Sequence, residues 1–256
     1  FQAVSPLGGA ALRVGFAALI LCLLNRPRYQ PELRQHGWVV VVYGLALACM
    51  NLSFYEAIAR IPIGVAVALE FTGPLGVAIF HSRRRLDLLW VVLAGLGILL
   101  LMPVAGVDLD PLGILFALIA ASLWASYILI STKAGQVLPG NQPVTWAMLI
   151  GAIAIVPFGL IHEQTVLLRP AILLAGLGVA FLGSVIPYSF EFMALRALPL
   201  QLFGVLMSLE PMVGALTGWL ILRETLVPRT ILAIILITIA AAGAARYRAN
   251  STAAPS

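Results

Sequence analysis

Charge is scarce in this sequence: Asp, Glu, Lys and Arg together make up 10% of its 256 residues. A soluble domain carries roughly 25%, because a folded sphere needs a wetted surface. With 62% hydrophobic residues and a mean hydropathy of +1.06, this chain has no such surface to offer. Cysteine is nearly absent as well. Cys22 and Cys49 both fall inside apolar runs, which argues against a disulfide framework or a CxxC redox pair. The three histidines, His36, His81 and His162, lie on three separate segments, and no His/Cys/Asp/Glu cluster has metal-ligand spacing. There is no GxSxG, no GxxxxGK(S/T), and no GxGxxG followed by a soluble βαβ unit. The expectation is a protein without metal or cofactor, and not an enzyme. An ATP-driven pump is excluded too, since no connector has room for a nucleotide-binding domain. The net charge of +5 is spread singly or in short runs between apolar segments, which is not the pattern of a nucleic-acid surface.

What the chain has in abundance is apolar runs long enough to cross the hydrocarbon layer, about 20 residues each. Backbone polar groups in lipid must be paired internally, so these segments are expected as helices. Nine are predicted, at 5–24, 37–58, 62–80, 88–104, 111–132, 143–161, 170–194, 199–221 and 229–246. Turn and breaker residues mark the connectors: Asn25 to Pro27, Pro62, Asp108 to Pro111, Pro139 to Asn141, Pro170, Pro199 and Pro228. Alternating the spans places ten cations on one side (Arg26, Arg28, Arg34, Arg83, Arg84, Arg85, Lys133, Arg196, Arg246 and Arg248) and four on the other (Arg60, Arg169, Arg223 and Arg229). The positive-inside bias makes the first side cytoplasmic and puts the C-terminus there. Residues 247–256 read as a short disordered tail.

Sliding the sequence by 137 positions aligns 6–78 with 143–215 without a gap. Pro6, Pro62 and Pro74 then fall on Pro143, Pro199 and Pro211, an internal repeat on a matching hydropathy pattern. Five spans per repeat is odd, so equivalent helices cross in opposite directions, the inverted arrangement of secondary transporters with a site near the bilayer midplane. The expected fold is an all-α polytopic membrane protein of two inverted five-helix repeats, 1–104 and 111–246, with about nine transmembrane helices here. The register gives the helix at 111–132 no counterpart, so the first repeat is expected to be N-terminally incomplete.

Intramembrane charge is expensive and marks function by default. Glu70 and Arg13 lie at equal depth, about 12 Å along their helices from the same side. They are expected to pair, either as a structural lock or with Glu70 handling a proton or a substrate ammonium and Arg13 a carboxylate. Glu210 precedes Pro211, and Pro74 is the repeat equivalent of Pro211. Each proline frees a carbonyl and invites a kink that serves as a gate or only as a bend. Ser184, Tyr188 and Glu191 form a polar stripe, and Asn51 is the repeat mate of Tyr188. Asn51 and Tyr188 are candidates for lining a pocket, or for interhelical hydrogen bonding. Glu191 and Glu56 lie nearer helix ends and read as solvated. Trp124 is too central for the interfacial belt and is a candidate cavity wall, on one face with Tyr127 and Ser131. Trp90, Trp146 and Trp219 read as packing or belt residues, and Gly214 with Gly218 as a weak helix-packing signal.

The stretch from Gly64 to Leu75, with Ser82 to Arg85 and Trp90 to Ala94 after it, resembles the bacterial inner-membrane threonine/homoserine exporters of the EamA branch of the drug/metabolite transporter superfamily. Pro187 to Glu191, Leu206 to Pro211 and Arg223 to Leu226 resemble the second half of those exporters in the same order. The resemblance implies ten helices in two inverted repeats and proton-driven efflux of small amino acids. Within the superfamily, purines, polyamines or drugs are alternative cargoes. An intramembrane enzyme or a channel is the remaining alternative.

Overall fold

The computed structural model describes residues 4–82, 85–101, 109–213, 220 and 228–252. All regular structure among the described residues is helical: α1 Pro6–Asn25, α2 Pro31–Ile58, α3 Ile63–Glu70, α4 Thr72–His81, α5 Arg85–Leu101, α6 Pro111–Val137, α7 Gln142–Leu167 and α8 Pro170–Ala180. There follow a π-helical turn at Phe181–Val185, α9 Ile186–Ala197, α10 Leu200–Met207 and α11 Pro228–Thr252. Proline stands in the first turn of α1, α2, α6, α7 and α8, at Pro6, Pro31, Pro111, Pro143 and Pro170, where its missing N–H costs nothing. Ser5 and Asp110 cap their helices by accepting from the amides of Gly8 (3.2 Å) and Leu112 (2.9 Å).

Where the nine predicted segments fall on described residues they coincide with helix, with four differences. First, α2 begins at Pro31, six residues before the predicted start, because its first turns carry Glu32, Arg34, Gln35 and His36 and are invisible to hydropathy. Second, the segment at 62–80 is interrupted at Phe71, and the one at 199–221 at Ser208. These breaks are 137 positions apart, and each lies three residues before a proline, Pro74 or Pro211. Third, the proposed tail starts too early: α11 continues to Thr252, since no Gly or Pro interrupts 244–252. Fourth, the π-helical turn inside 170–197 has no counterpart in α2, which is continuous over the matching positions 44–48. Gly214, Gly218 and Trp219 lie outside the described residues.

Six helical stretches are long and apolar enough to span a bilayer (6–25, 31–58, 63–81, 111–137, 142–163 and 170–197), with shorter apolar helices at 86–100, 202–213 and 228–244. The surface agrees. Phe80, Leu174 and Leu23 are 88%, 70% and 69% exposed, a rim that water would not tolerate but acyl chains solvate. The protein is a multi-pass membrane protein.

Two of the helix pairs related by the 137-residue offset, α1–α7 and α5–α11, pack against one another antiparallel. At one end of the α1–α7 contact the Ser5 amide donates to Glu163 Oε1 (2.8 Å), and at the other Asn25 Nδ2 donates to Thr145 Oγ1 (2.8 Å). The 137-residue offset carries the Ser5–Glu163 contact onto positions 142 and 26. Gln142 bonds the chain there, donating to the Asn25 carbonyl (3.0 Å) and accepting from the Arg28 amide (3.3 Å). Helices α5 and α11 are antiparallel too, with Gly97 against Ile237 and Trp90 against Gly243. Small residues allow the closest approaches. A Cβ on Gly44 would stand 2.6 Å from the Ala147 carbonyl, and one on Gly204 2.5 Å from that of Pro74.

Candidate functional site

At the centre of the bundle lies a cavity of about 260 Å³, walled by α1, α2, α3, α6, the π-helical turn, α9 and the segment after α10. Arg13, Asn51, Glu70, Trp124, Tyr188 and Glu210 all line it, although they come from six separate segments. The volume falls below the roughly 300–1,000 Å³ of sites for drug-sized ligands, so it suits a small polar metabolite.

Arg13 reaches the cavity from α1. Its Nε donates to Ser184 Oγ (2.7 Å) and its Nη2 to the Gly183 carbonyl (2.5 Å). That carbonyl is available for a local reason. Pro187, four residues on, has no N–H to return to it, and the π-helical turn widens the backbone at the same place. The expected contact pair of Arg13 with Glu70 is not formed. Among the described residues the ion pairs are Arg60 with Glu56 and Arg60 with Asp110. Arg13 and Glu70 share the cavity without touching, because equal depth does not fix the rotation of either helix.

Glu70 is 9% exposed and ends α3 at the Phe71 break. Pro74 lacks the N–H that would close a helical bond to the Glu70 carbonyl, and Thr72 Oγ1 turns back to the Leu69 carbonyl (2.6 Å). The second break repeats this chemistry: Ser208 Oγ bonds the Val205 carbonyl (2.5 Å), and Pro211 follows Glu210. Phe71 packs edge-on against Trp124, with ring centroids 4.9 Å apart. The indole N–H of Trp124 is buried with no hydrogen-bond partner among the described residues.

The repeat mates Asn51 and Tyr188 meet directly. Asn51 Nδ2 donates to Tyr188 Oη (3.0 Å) and to the Leu47 carbonyl (2.8 Å). Sequence reasoning missed Glu191. It is not a solvated helix-end acid; it lines the cavity and accepts from Tyr127 Oη (2.9 Å). Its place on the Ser184–Tyr188–Glu191 stripe was the available signal. Glu56 does lie at the surface, bonded by Arg60. Three carboxyls, of Glu70, Glu191 and Glu210, thus surround one guanidinium. Among the described residues no group of three His, Cys, Asp or Glu is arranged to hold a metal ion.

A bundle of apolar helices around a small charged cavity, with helices broken beside it, is the architecture of a membrane transporter. The sequence matches the EamA-like transporter family over residues 111–246, and the chain belongs to that family. It is 43% identical over 246 residues to the threonine/homoserine exporter RhtA of Salmonella typhimurium (strain LT2), covering 95% of this chain and 83% of the relative. To RhtA of Escherichia coli (strain K12) it is 41% identical over 247 residues, with the same coverage. Protein PecM of Dickeya dadantii is 26% identical over 235 residues, covering 86% and 76%. A solved crystal structure superposes with a TM-score of 0.81 over 98% of this chain and 91% of its own, at 22% identity, which establishes a common fold alone.

Proposed function

We propose that this protein exports small amino acids of the threonine/homoserine class across the bacterial inner membrane, exchanging them for protons. The observation that carries the reading is the 41–43% identity, over 95% of the chain, to proteins named for that export. The cavity supports it, because a zwitterion needs both signs of charge. Arg13 offers donors to a carboxylate, and Glu70 or Glu210 offers acceptors to an ammonium. A carboxylate that gives up one partner for another also changes its hold on a proton, which supplies a means of coupling. In this reading Arg13, Asn51, Glu70, Trp124, Tyr188 and Glu210 bind substrate or proton, and the breaks beside Pro74 and Pro211 are gate hinges.

The same reading divides the chain into repeats 1–104 and 111–246, related by inversion, with the antiparallel α1–α7 and α5–α11 pairs in its support. It sets the Asn25, Val137 and Ala197 helix ends and the C-terminus in the cytoplasm, supported by the ten-to-four division of cations. It assigns no catalysis. The three acids around one base favour a second cargo class, a polyamine or similar cation, as the alternative.

The test is efflux from loaded membrane vesicles bearing the protein, with threonine, homoserine, a purine and a polyamine as separate cargoes and an imposed proton gradient. Homoserine or threonine efflux that collapses with the gradient is the expected result. Efflux of the polyamine alone would transfer the assignment to the alternative.

A further inference from the structure

We propose that the hydrogen bond from Tyr127 to Glu191 is the latch of an inner gate, and that this structure is the outward-open state. The inference rests on the transporter reading and on its orientation, and goes beyond both by naming the residues that close one side. The two sides of the cavity differ. Toward the outer helix ends lies a second chamber of about 540 Å³, bounded by Gly9, Ile58, Ile63 and Ala171 and meeting the polar cavity at Arg13 and Phe54. Cargo that has passed Arg13 therefore has open volume ahead of it.

Toward the inner ends the described pocket, about 380 Å³ between α4 and α6 at Gly73, Phe80 and Leu129, shares none of the polar cavity's lining residues. From the Asn51–Tyr188 bond, Glu191 lies three residues inward on α9, Tyr127 three inward of Trp124 on α6, and Tyr43 eight inward of Asn51 on α2. Tyr43 stacks against Tyr127 with centroids 5.4 Å apart, and Tyr127 against Tyr188 at 5.8 Å. Tyr43, Tyr127 and the adjoining Phe192 are each 0% exposed, so the layer excludes water. Tyr127 belongs to α6, and Glu191 to α9 in the other wall. Their bond (2.9 Å) is a side-chain polar tie between α6 and α9 across this aromatic layer, and parting the two helices there requires breaking it. Glu191 is then a positioning residue for the transport cycle as well as a cavity acid.

The experiment uses the full chain with Cys22 and Cys49 replaced by serine and Val67, on the cavity wall, by cysteine. A membrane-impermeant maleimide is applied to right-side-out and to inside-out vesicles. The parent is expected to label from outside. Tyr127→Phe and Glu191→Ala are each expected to shift labelling toward the inside by roughly fivefold, the scale of one ordinary hydrogen bond. Glu191→Gln, whose amide oxygen still accepts from Tyr127, is expected to label as the parent does. A merely structural role would lower yield or melting temperature without this reversal of sidedness. If Tyr127→Phe fails to assemble, Glu191→Ala reads the same bond from its other end. Unchanged labelling in both variants, inside-only labelling of the parent, or Glu191→Gln behaving like Glu191→Ala each overturns the proposal. Cargo plays no part in the labelling, so an error in the substrate assignment would show only in the efflux assay.

Discussion

Replacing Ser184 with alanine removes an acceptor that holds Arg13 across the cavity, and the structure sets the size of the effect. Arg13 Nε donates to Ser184 Oγ at 2.7 Å and Nη2 to the Gly183 carbonyl at 2.5 Å. A hydrogen bond from a cation contributes about 1.5–3 kcal/mol, and the lower end applies because the cavity lets water reach the vacated groups. Ser184→Ala is therefore expected to cost about 1.5 kcal/mol and Arg13→Ala, which loses the Gly183 bond as well, at least about 3 kcal/mol. For a chain of this size each kcal/mol corresponds to about 2–4 °C in melting temperature, so the shifts are about 3–6 °C and at least twice that. The assay is thermal unfolding of the detergent-solubilised protein followed by tryptophan fluorescence. The decisive variant is the double one. With Arg13 already gone, losing Ser184 is expected to change nothing further, since the two share one interaction. A double variant that melts lower than Arg13→Ala by the full Ser184→Ala increment would refute the claim that Arg13 is docked on the π-helical turn.

Pro187→Ala restores an amide N–H to the Gly183 carbonyl, so it is expected to reduce the Arg13→Ala penalty by about half in the same melting assay. Glu70→Gln is expected to abolish proton-driven efflux from loaded vesicles while insertion and yield are unchanged; full activity would remove Glu70 from the mechanism. Gly44→Val forces a side chain toward the Ala147 carbonyl, 2.6 Å from the new Cβ, and is expected to destabilise by about 1–3 kcal/mol. Gly37→Ala, with nothing within 4 Å of its Cβ, is the control and should melt no lower than the parent.

Much of the cavity is legible in the sequence. Arg13, Glu70 and Glu210 announce themselves because an ionisable group amid apolar residues has few tolerable places to be. Asn51 and Tyr188 were marked by the repeat offset and meet in the structure at 3.0 Å. Depth, however, is only one of the three coordinates of a side chain. Counting along α9 placed Glu191 near a membrane edge, and nothing in its own helix reports that Tyr127 of α6 stands 2.9 Å away. The same blindness produced the Arg13–Glu70 pair. The two residues agree in depth, but rotation about each helix axis is set by packing, and packing turned Arg13 toward the π-helical turn instead.

Sequence alone determined that the chain lives in lipid, where its helices run, where proline interrupts them, and that Glu70 and Glu210 lie deep among apolar residues. Those properties follow from local chemistry, since hydropathy, a missing N–H and an ionisable group each act at their own position in the chain. Only the tertiary structure decided which faces of α1, α2, α6 and α9 converge, that Gly183 gives its carbonyl to Arg13, and that one end of the cavity is closed by tyrosines. Those outcomes depend on contacts between residues more than a hundred positions apart, as Arg13 and Ser184 are, or Asn51 and Tyr188. In so uniformly apolar a chain, burial alone does not specify such contacts; close packing of small residues and the pairing of a few polar groups do.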